Sequence, residues 1–69
     1  MKISVNGKEK KIELEGGKAL LSSTLKFLGY KQNTVVVEVN DLIINSTKWE
    51  SEILKDGDKL EIVSIVGGG

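Results

Sequence analysis

The residues that could do chemistry stand at the end of the sequence, where Gly67, Gly68 and Gly69 follow Val66. Glycine makes up about 7% of average sequence, so three in the last three positions occur by chance in about three of ten thousand cases. Glycine also has more backbone freedom than any other residue, which predicts a projecting tail without side chains. Such a tail can enter a narrow channel in another protein and present the Gly69 α-carboxylate there. The alternative interpretation is a frayed end or a cloning remnant.

An α-carboxylate needs activation before it can act as an acyl donor. It is ionised at neutral pH, because its reference pKa is about 3.5. Attack of the Gly69 carboxylate on the α-phosphate of ATP would give an acyl-adenylate, with ATP and its metal held by a partner. A sulfur or amine nucleophile could then displace AMP. Because the sequence has no Cys, any sulfur must come from outside and can be held here only as a C-terminal thiocarboxylate.

The composition excludes most other chemistry. Cys, His and Pro are all absent, which excludes disulfides, thiolate or imidazole metal sites, and nucleophilic mechanisms that use Cys or a His base. Asp56 and Asp58 resemble a fragment of a calcium loop but lack the further ligands, so they are interpreted as a turn. No pair of carboxylates has the enclosed, convergent setting of acid-base catalysis. We therefore expect a protein that is not an enzyme and binds no metal or cofactor.

Net charge and hydropathy also limit the classes of partner that the protein can have. Ten basic residues balance ten acidic ones, whereas a general nucleic-acid binder needs a surplus of Lys and Arg. No apolar run approaches the roughly 18 residues needed to cross a bilayer. Residues 1–7 contain polar residues and a turn where a signal peptide would carry its apolar stretch. These features predict a cytoplasmic protein whose partners are neither nucleic acids nor membranes.

The elements that position the tail can be predicted from apolar spacing, beginning with a hairpin. Residues 3–5 alternate apolar and polar before Asn6-Gly7, the pair best suited to a type I′ turn. A second strand is expected over residues 10–14, with its apolar residues Ile12 and Leu14 on one face.

The spacing then becomes helical over residues 18–28, where Leu21, Leu25 and Leu28 fall at i, i+4 and i+7. The apolar stripe is widened by Leu20, Thr24 and Phe27. Gly29 stands where a left-handed C-terminal cap is expected. A helix with one apolar face should lie across a sheet.

Three more strands are predicted after the helix. They cover residues 35–39, 42–44 and 59–66, with a hairpin turn at Asn40-Asp41 and a helical turn over 48–54 that places Trp49 and Ile53 on one side. Trp49 is interpreted as a core residue. The order β-β-α-β-β-β predicts an α+β fold of two layers, with a single domain over residues 1–66 and a tail over 67–69.

The last strand is apolar on both faces, which is typical of a central strand. Leu60 and Ile62 form one face, and Val63 and Ile65 lie on the other with Glu61. Val63, Ile65 and Val66 have two interpretations: they are buried in the sheet, or they form an exposed patch at the base of the tail that binds an activating enzyme.

These features together resemble the ubiquitin-like sulfur carriers over essentially the whole chain. The resemblance is carried by the strand and helix order, the Asp56-Gly57-Asp58 turn, the last strand (KLEIVSIV) and the glycine ending. Within that group the sequence is most similar to the carriers that form the thiazole of thiamine, in its short length, its Asn-Gly hairpin and its Glu61-Ile62-Val63 segment leading to a Val-Gly-Gly ending. The small subunit of molybdopterin synthase is the next most similar, but its tail typically follows a Pro-containing segment.

The resemblance implies a β-grasp fold, with the last strand beside the first. It also implies an E1-like adenylating enzyme that activates the terminal glycine, an external sulfur donor such as a cysteine desulfurase, and sulfur transfer to thiazole synthase. The usual family ending is two glycines, so the tail here is one residue longer or Gly69 is trimmed before use; we favour the untrimmed form. A molybdopterin-synthase subunit and a ubiquitin-like modifier or binding module are the alternatives.

Overall fold

The computed structural model describes residues 1–13 and 19–65, which form five strands, one α-helix and a 3-10 helix. In chain order these are β1 (Lys2–Val5), β2 (Lys8–Lys11), α1 (Leu21–Phe27), β3 (Val35–Val39), β4 (Leu42–Ile44), the 3-10 helix (Ser46–Lys48) and β5 (Lys59–Ser64). The sheet order is β2-β1-β5-β3-β4. Strands β1 and β5 are parallel, and all other neighbours are antiparallel. The last strand is therefore central and lies beside the first, which confirms the predicted α+β fold.

The first hairpin forms at the predicted turn, but its second strand begins earlier than expected. Asn6 and Gly7 have φ values of 51° and 82°, and this two-residue turn places Lys8 directly opposite Val5. Strand β2 therefore covers Lys8–Lys11, not residues 10–14. Ile12 follows the strand and is buried, whereas Leu14 lies outside the described residues, so the prediction that the two share a face is not tested.

Helix α1 begins later than its sequence pattern indicates. Within the described residues, Ala19 and Leu20 belong to the predicted helix but are not helical. The Ala19 carbonyl accepts a hydrogen bond from the Leu54 amide at 2.7 Å, and Leu20 forms an antiparallel bridge with Ile53. This long-range pairing holds Leu20 in an extended conformation, so the helix begins at Leu21. Lys18 lies outside the described residues.

The end of the helix agrees with the prediction, but one side of its apolar stripe does not. Gly29 is left-handed at φ 93°, and the Tyr30 amide donates to the Leu25 carbonyl at 2.9 Å, as in a Schellman cap. Phe27, predicted to widen the buried stripe, is 59% exposed. At 3.6 residues per turn it lies about 110° from the centre of the buried side, so it points away from the core.

The segment after β4 differs most from its prediction. A 3-10 helix at Ser46–Lys48 replaces the expected turn over 48–54, because the Asn45 side chain accepts the Thr47 amide at 3.0 Å and caps the helix earlier. Trp49 is buried, and its Nε1 donates to the Ile44 carbonyl at 2.9 Å, which confirms it as a core residue. Ile53 is exposed, so the prediction that it shares a side with Trp49 is wrong.

The buried apolar residues form one core on one face of the sheet. They are Ile3, Val5, Ile12, Leu21, Leu25, Val35, Val37, Val39, Trp49, Leu54, Leu60 and Ile62. Helix α1 contributes two of these, and the inward residues of β1, β3 and β5 contribute most of the others. We call the opposite face, which no described helix covers, the open face.

Candidate functional site

The site predicted from the sequence is the tail together with the strand that leads to it. Strand β5 ends at Ser64, although the Ile65 amide still donates to the Thr34 carbonyl at 2.9 Å. The predicted strand extended to Val66. Val66 and the three tail residues Gly67, Gly68 and Gly69 lie outside the described residues, so their roles remain predictions. The described residues show how the strand that precedes the tail is held.

Strand β5 is held on both sides by backbone pairing. On one side it pairs with β3 over five residues, from Val35 opposite Ser64 to Val39 opposite Leu60. On the other side its pairing with β1 is limited to two positions. The strand from which the tail leaves is therefore fixed to a sheet neighbour along nearly its whole length.

Asn6 extends the shorter pairing with its side chain. Its Nδ2 donates to the Ile62 carbonyl at 3.1 Å, and its Oδ1 accepts from the Ile62 amide at 2.7 Å. One side-chain amide thus satisfies both backbone groups of a β5 residue, as a neighbouring strand would. The sequence predicted Asn6 only as a turn residue, because a contact across 56 positions leaves no local signal.

The two faces of β5 differ sharply in exposure. Leu60 and Ile62 are buried in the core, whereas Val63 and Ile65 are each 57% exposed. Val63 and Ile65 therefore lie on the open face rather than in a second core, at the end of β5 nearest the tail. Large exposed apolar residues that cluster in this way are typical of interaction surfaces.

The strand register adds two residues to this surface. Val36 lies directly opposite Val63, and Ile43 of the neighbouring strand is 65% exposed. Val36, Ile43 and Ile65 line one shallow groove. We call Val36, Ile43, Val63 and Ile65 the apolar patch. Val36 and Ile43 were not predicted from the sequence as part of this surface. The Asn40-Asp41 hairpin turn is the sequence signal that could have indicated them, since a two-residue turn fixes which β4 residues share a face with β3.

The Asp56-Gly57-Asp58 turn uses its carboxylates to hold backbone. Asp56 Oδ1 accepts from the Lys2 amide at 2.6 Å, and Asp58 Oδ2 accepts from the Lys55 amide at 2.8 Å. Asp58 Oδ1 also accepts from the Asn40 side chain at 3.0 Å. Among residues 1–13 and 19–65, no group of three or more His, Cys, Asp or Glu is placed to hold a metal. The turn thus fixes the start of β5, in agreement with its interpretation as a turn.

No helix in the described parts of the chain combines the length and apolar character needed to span a membrane. The described part of the predicted site is an apolar surface on the strand that leads to the glycine tail. The predicted reacting group is the Gly69 carboxylate.

Comparison with known proteins places the chain among thiamine-related proteins. The ThiS family profile matches residues 3–69. The crystal structure of the thiamine biosynthesis protein ThiS from Geobacter metallireducens superimposes with a TM-score of 0.81 and 28% identity, covering all of both chains. This likeness, together with the strand order, confirms the β-grasp fold.

Two relatives differ in how much of their own length is matched. The uncharacterized protein ycf40 of Pyropia yezoensis is 43% identical over 49 residues, which are 71% of this chain and 69% of that protein. A thiazole synthase of Paramagnetospirillum magneticum is 35% identical over all 69 residues, but these make up 20% of that protein. The chain thus matches one region of a much longer thiazole synthase.

Proposed function

Because this chain belongs to the ThiS family and is a sulfur carrier of that type, we propose that it carries sulfur as a thiocarboxylate on Gly69 for the formation of a thiazole. The observation that carries the proposal is the family match through residue 69, which includes all three glycines. The carrier is a substrate of its partner enzymes, and its place of action in this proposal is the cytosol.

The proposed reaction has two steps. A carboxylate oxygen of Gly69 attacks the α-phosphate of ATP on an E1-like adenylating enzyme, which forms an acyl-adenylate and releases pyrophosphate. Hydrosulfide then attacks the carbonyl carbon, the C–S bond forms, and the bond to AMP breaks. When the donor is instead the persulfide of a cysteine desulfurase, a thiol must reduce the resulting acyl disulfide to release the thiocarboxylate.

Glycine suits both steps because it has no Cβ beside the reacting carbonyl carbon. ATP and its metal belong to the partner in this proposal. The carrier contributes the carboxylate and the surface by which the enzyme recognises it.

The apolar patch is the proposed recognition surface. Val63 and Ile65 stand at the base of the tail and are more than half exposed, so an enzyme that covers them also receives the tail. Val66 continues this segment in the sequence and is assigned to the same surface. Burial of apolar side chains at a contact of this kind contributes most of the binding free energy.

Thiazole synthase is the proposed acceptor of the sulfur. The support is the thiazole synthase of Paramagnetospirillum magneticum, which contains a region similar to this whole chain. A region of this kind within the same protein would raise its effective concentration at the synthase. We infer that this chain contacts a thiazole synthase and delivers its sulfur there.

Intact mass spectrometry tests the proposal. The protein is incubated with ATP, the E1-like enzyme of its own organism, a cysteine desulfurase with cysteine, and a thiol. The expected product is heavier by the exchange of one oxygen atom for sulfur, and its formation requires ATP. A chain that never gains this mass would reject the proposal.

Two further measurements define the site and the pathway. A variant that lacks Gly69 and ends at Gly68 shows whether the third glycine is needed, and fragment masses show which residue carries sulfur. The charged carrier is then offered to thiazole synthase and, separately, to the large subunit of molybdopterin synthase. Sulfur loss only with the molybdopterin enzyme would favour that alternative pathway.

A further inference from the structure

Two glutamates face each other on the open face, next to the apolar patch. Glu38 of β3 and Glu61 of β5 are direct partners in the antiparallel register. Directly opposed residues on neighbouring antiparallel strands have Cβ atoms about 4.5–5.5 Å apart. Both residues are half-buried. We call Glu38 and Glu61 the acidic pair.

The acidic pair is not neutralised within the described part of the chain. The ion pairs found there join Lys11 to Glu13 at 3.7 Å and Lys59 to Asp41 at 4.0 Å. Lys59 lies on the same face as Glu61, two residues away, but its Nζ is directed to the Asp41 carboxylate. Like charges directly opposite each other destabilise a strand pair, so the free carrier keeps an unfavourable contact that a cation from outside would relieve.

The acidic pair and the apolar patch form one continuous surface. Val36 and Val63 are each two residues from a member of the pair and are themselves directly opposed. Ile43 lies directly opposite Glu38 on the other side. A partner that covers the apolar patch therefore also covers or borders the two carboxylates. Covering them without a cation would leave two like charges buried and unpaired, at a high cost in binding free energy.

We propose that the partner seated on the apolar patch presents a basic side chain to the acidic pair, and that this charge contact selects the E1-like adenylating enzyme. Arginine suits the position best, because its planar guanidinium can donate hydrogen bonds to two carboxylates at once. The inference rests on the proposed function, since it identifies the chemistry by which the activating enzyme recognises the carrier.

The charge contact predicts a particular binding behaviour. Complementary charges raise the rate of association and fix the orientation of two surfaces, while the apolar patch supplies most of the affinity. The affinity should therefore fall as salt is added, because the contact at its edge is screened. A surface that bound through apolar contacts alone would show little dependence on salt.

The test compares Glu38→Gln, Glu61→Gln and the double variant with wild type. The dissociation constant for the E1-like enzyme is measured by calorimetry at low and at physiological salt, and each carrier's Tm is measured alone. We expect each single variant to weaken binding by about tenfold at low salt and the double variant to lose most of the salt dependence. We also expect Tm to rise by about 1–5 °C, since repulsion is removed.

Glu50→Gln is the matched control. It removes the same charge from an exposed residue that lines a groove with Ser22 and Lys26 on the helix side. Its dissociation constant should stay within about twofold of wild type, because exposed charges far from a contact are largely screened. Glu61→Lys extends the series, with a greater loss of binding expected than for Glu61→Gln.

The glutamine variants are expected to bind more weakly but to have an equal or higher Tm, so a role in recognition can be distinguished from a role in folding. Weaker binding together with an equal or higher Tm supports the contact, whereas a dissociation constant and salt dependence equal to wild type in the double variant would overturn it. A loss of binding that only follows a lower Tm would also overturn it. When wild type gains sulfur but the glutamine variants bind equally well, the inference fails and the proposed function stands. When wild type is never charged, both fail.

Discussion

Strand β5 presents two unlike faces built from similar residues. Leu60 and Ile62 are buried against the core, while Val63 and Ile65 are each 57% exposed on the open face. All four are aliphatic, so hydrophobicity alone does not distinguish them. The difference is that helix α1 and the segment around Trp49 contribute to the core on one side only. Layering thus separates the residues that stabilise the fold from those available to a partner.

The largest expected effect comes from the tail, which carries the proposed chemistry. Deletion of Gly68 and Gly69 should abolish thiocarboxylate formation, because the new carboxylate at Gly67 would end two residues short of the reaction centre. Tm should stay within about 2 °C of wild type, since the buried core lies between Ile3 and Ile62. Intact mass and thermal denaturation measure the two effects. A large fall in Tm would show that the glycines support the fold.

Substitutions on the buried face of β5 should have their largest effect on the free energy of unfolding. Leu60 has 0% exposure, and Leu60→Ala should lower the free energy of unfolding by about 2–5 kcal/mol through lost burial and a residual cavity. Val63→Ala is the matched control on the exposed face, with a loss below about 1 kcal/mol. Urea denaturation measures both variants. Equal losses at the two positions would remove the distinction between the faces.

Substitutions on the exposed face of β5 should have their largest effect on binding to the activating enzyme. Val63→Asp should weaken binding to the activating enzyme by about tenfold or more, since a charge would be buried at the contact. Phe27→Asp is the control, because it adds the same charge at an exposed apolar residue on helix α1. Its dissociation constant should be nearly unchanged. Comparable losses of binding and stability in Val63→Asp would restore the buried-strand interpretation.

The smallest expected effect is on stability and concerns the buried hydroxyl of Thr24. Thr24 is fully buried, and its hydroxyl finds no hydrogen-bond partner among the described residues. Thr24→Val should raise the free energy of unfolding by about 1 kcal/mol, because an unsatisfied polar group leaves the core. Thr34→Val is the control: its hydroxyl donates to the Lys31 carbonyl, so its removal should lower stability. A destabilised Thr24→Val would indicate a partner for that hydroxyl.

Several local features could be predicted from the sequence because nearby residues decide them. The β-branched residues of Val35–Val39 predicted a strand, and the predicted bounds of β3 and β4 agree with the structure. Asn6-Gly7 and Asn40-Asp41 form turns with positive φ, since these residues tolerate that conformation. Gly29 ends the helix for the same reason. Each of these depends on contacts within a few residues.

Other features were predicted wrongly from the sequence, because contacts between distant segments determine them. Ala19 and Leu20 fit a helical pattern, but hydrogen bonds between residues 19–21 and 52–54 hold Leu20 extended. Phe27 was predicted to widen the buried stripe and Ile53 to share a side with Trp49, but both are exposed. Periodicity predicts which side of an element is apolar; it does not predict how far the neighbouring layer extends over it.

The sequence by itself led to the proposed chemistry, because it contains no Cys or His and ends in three glycines, and the Gly69 carboxylate is therefore the predicted reactive group. It also determined the order of elements and the two apolar faces of the last strand. Only the tertiary structure decided that Val63 and Ile65 are exposed, that Val36 and Ile43 join them, and that Glu38 faces Glu61. The physical reason is that strand register and layering depend on pairing between distant segments, which local spacing does not record.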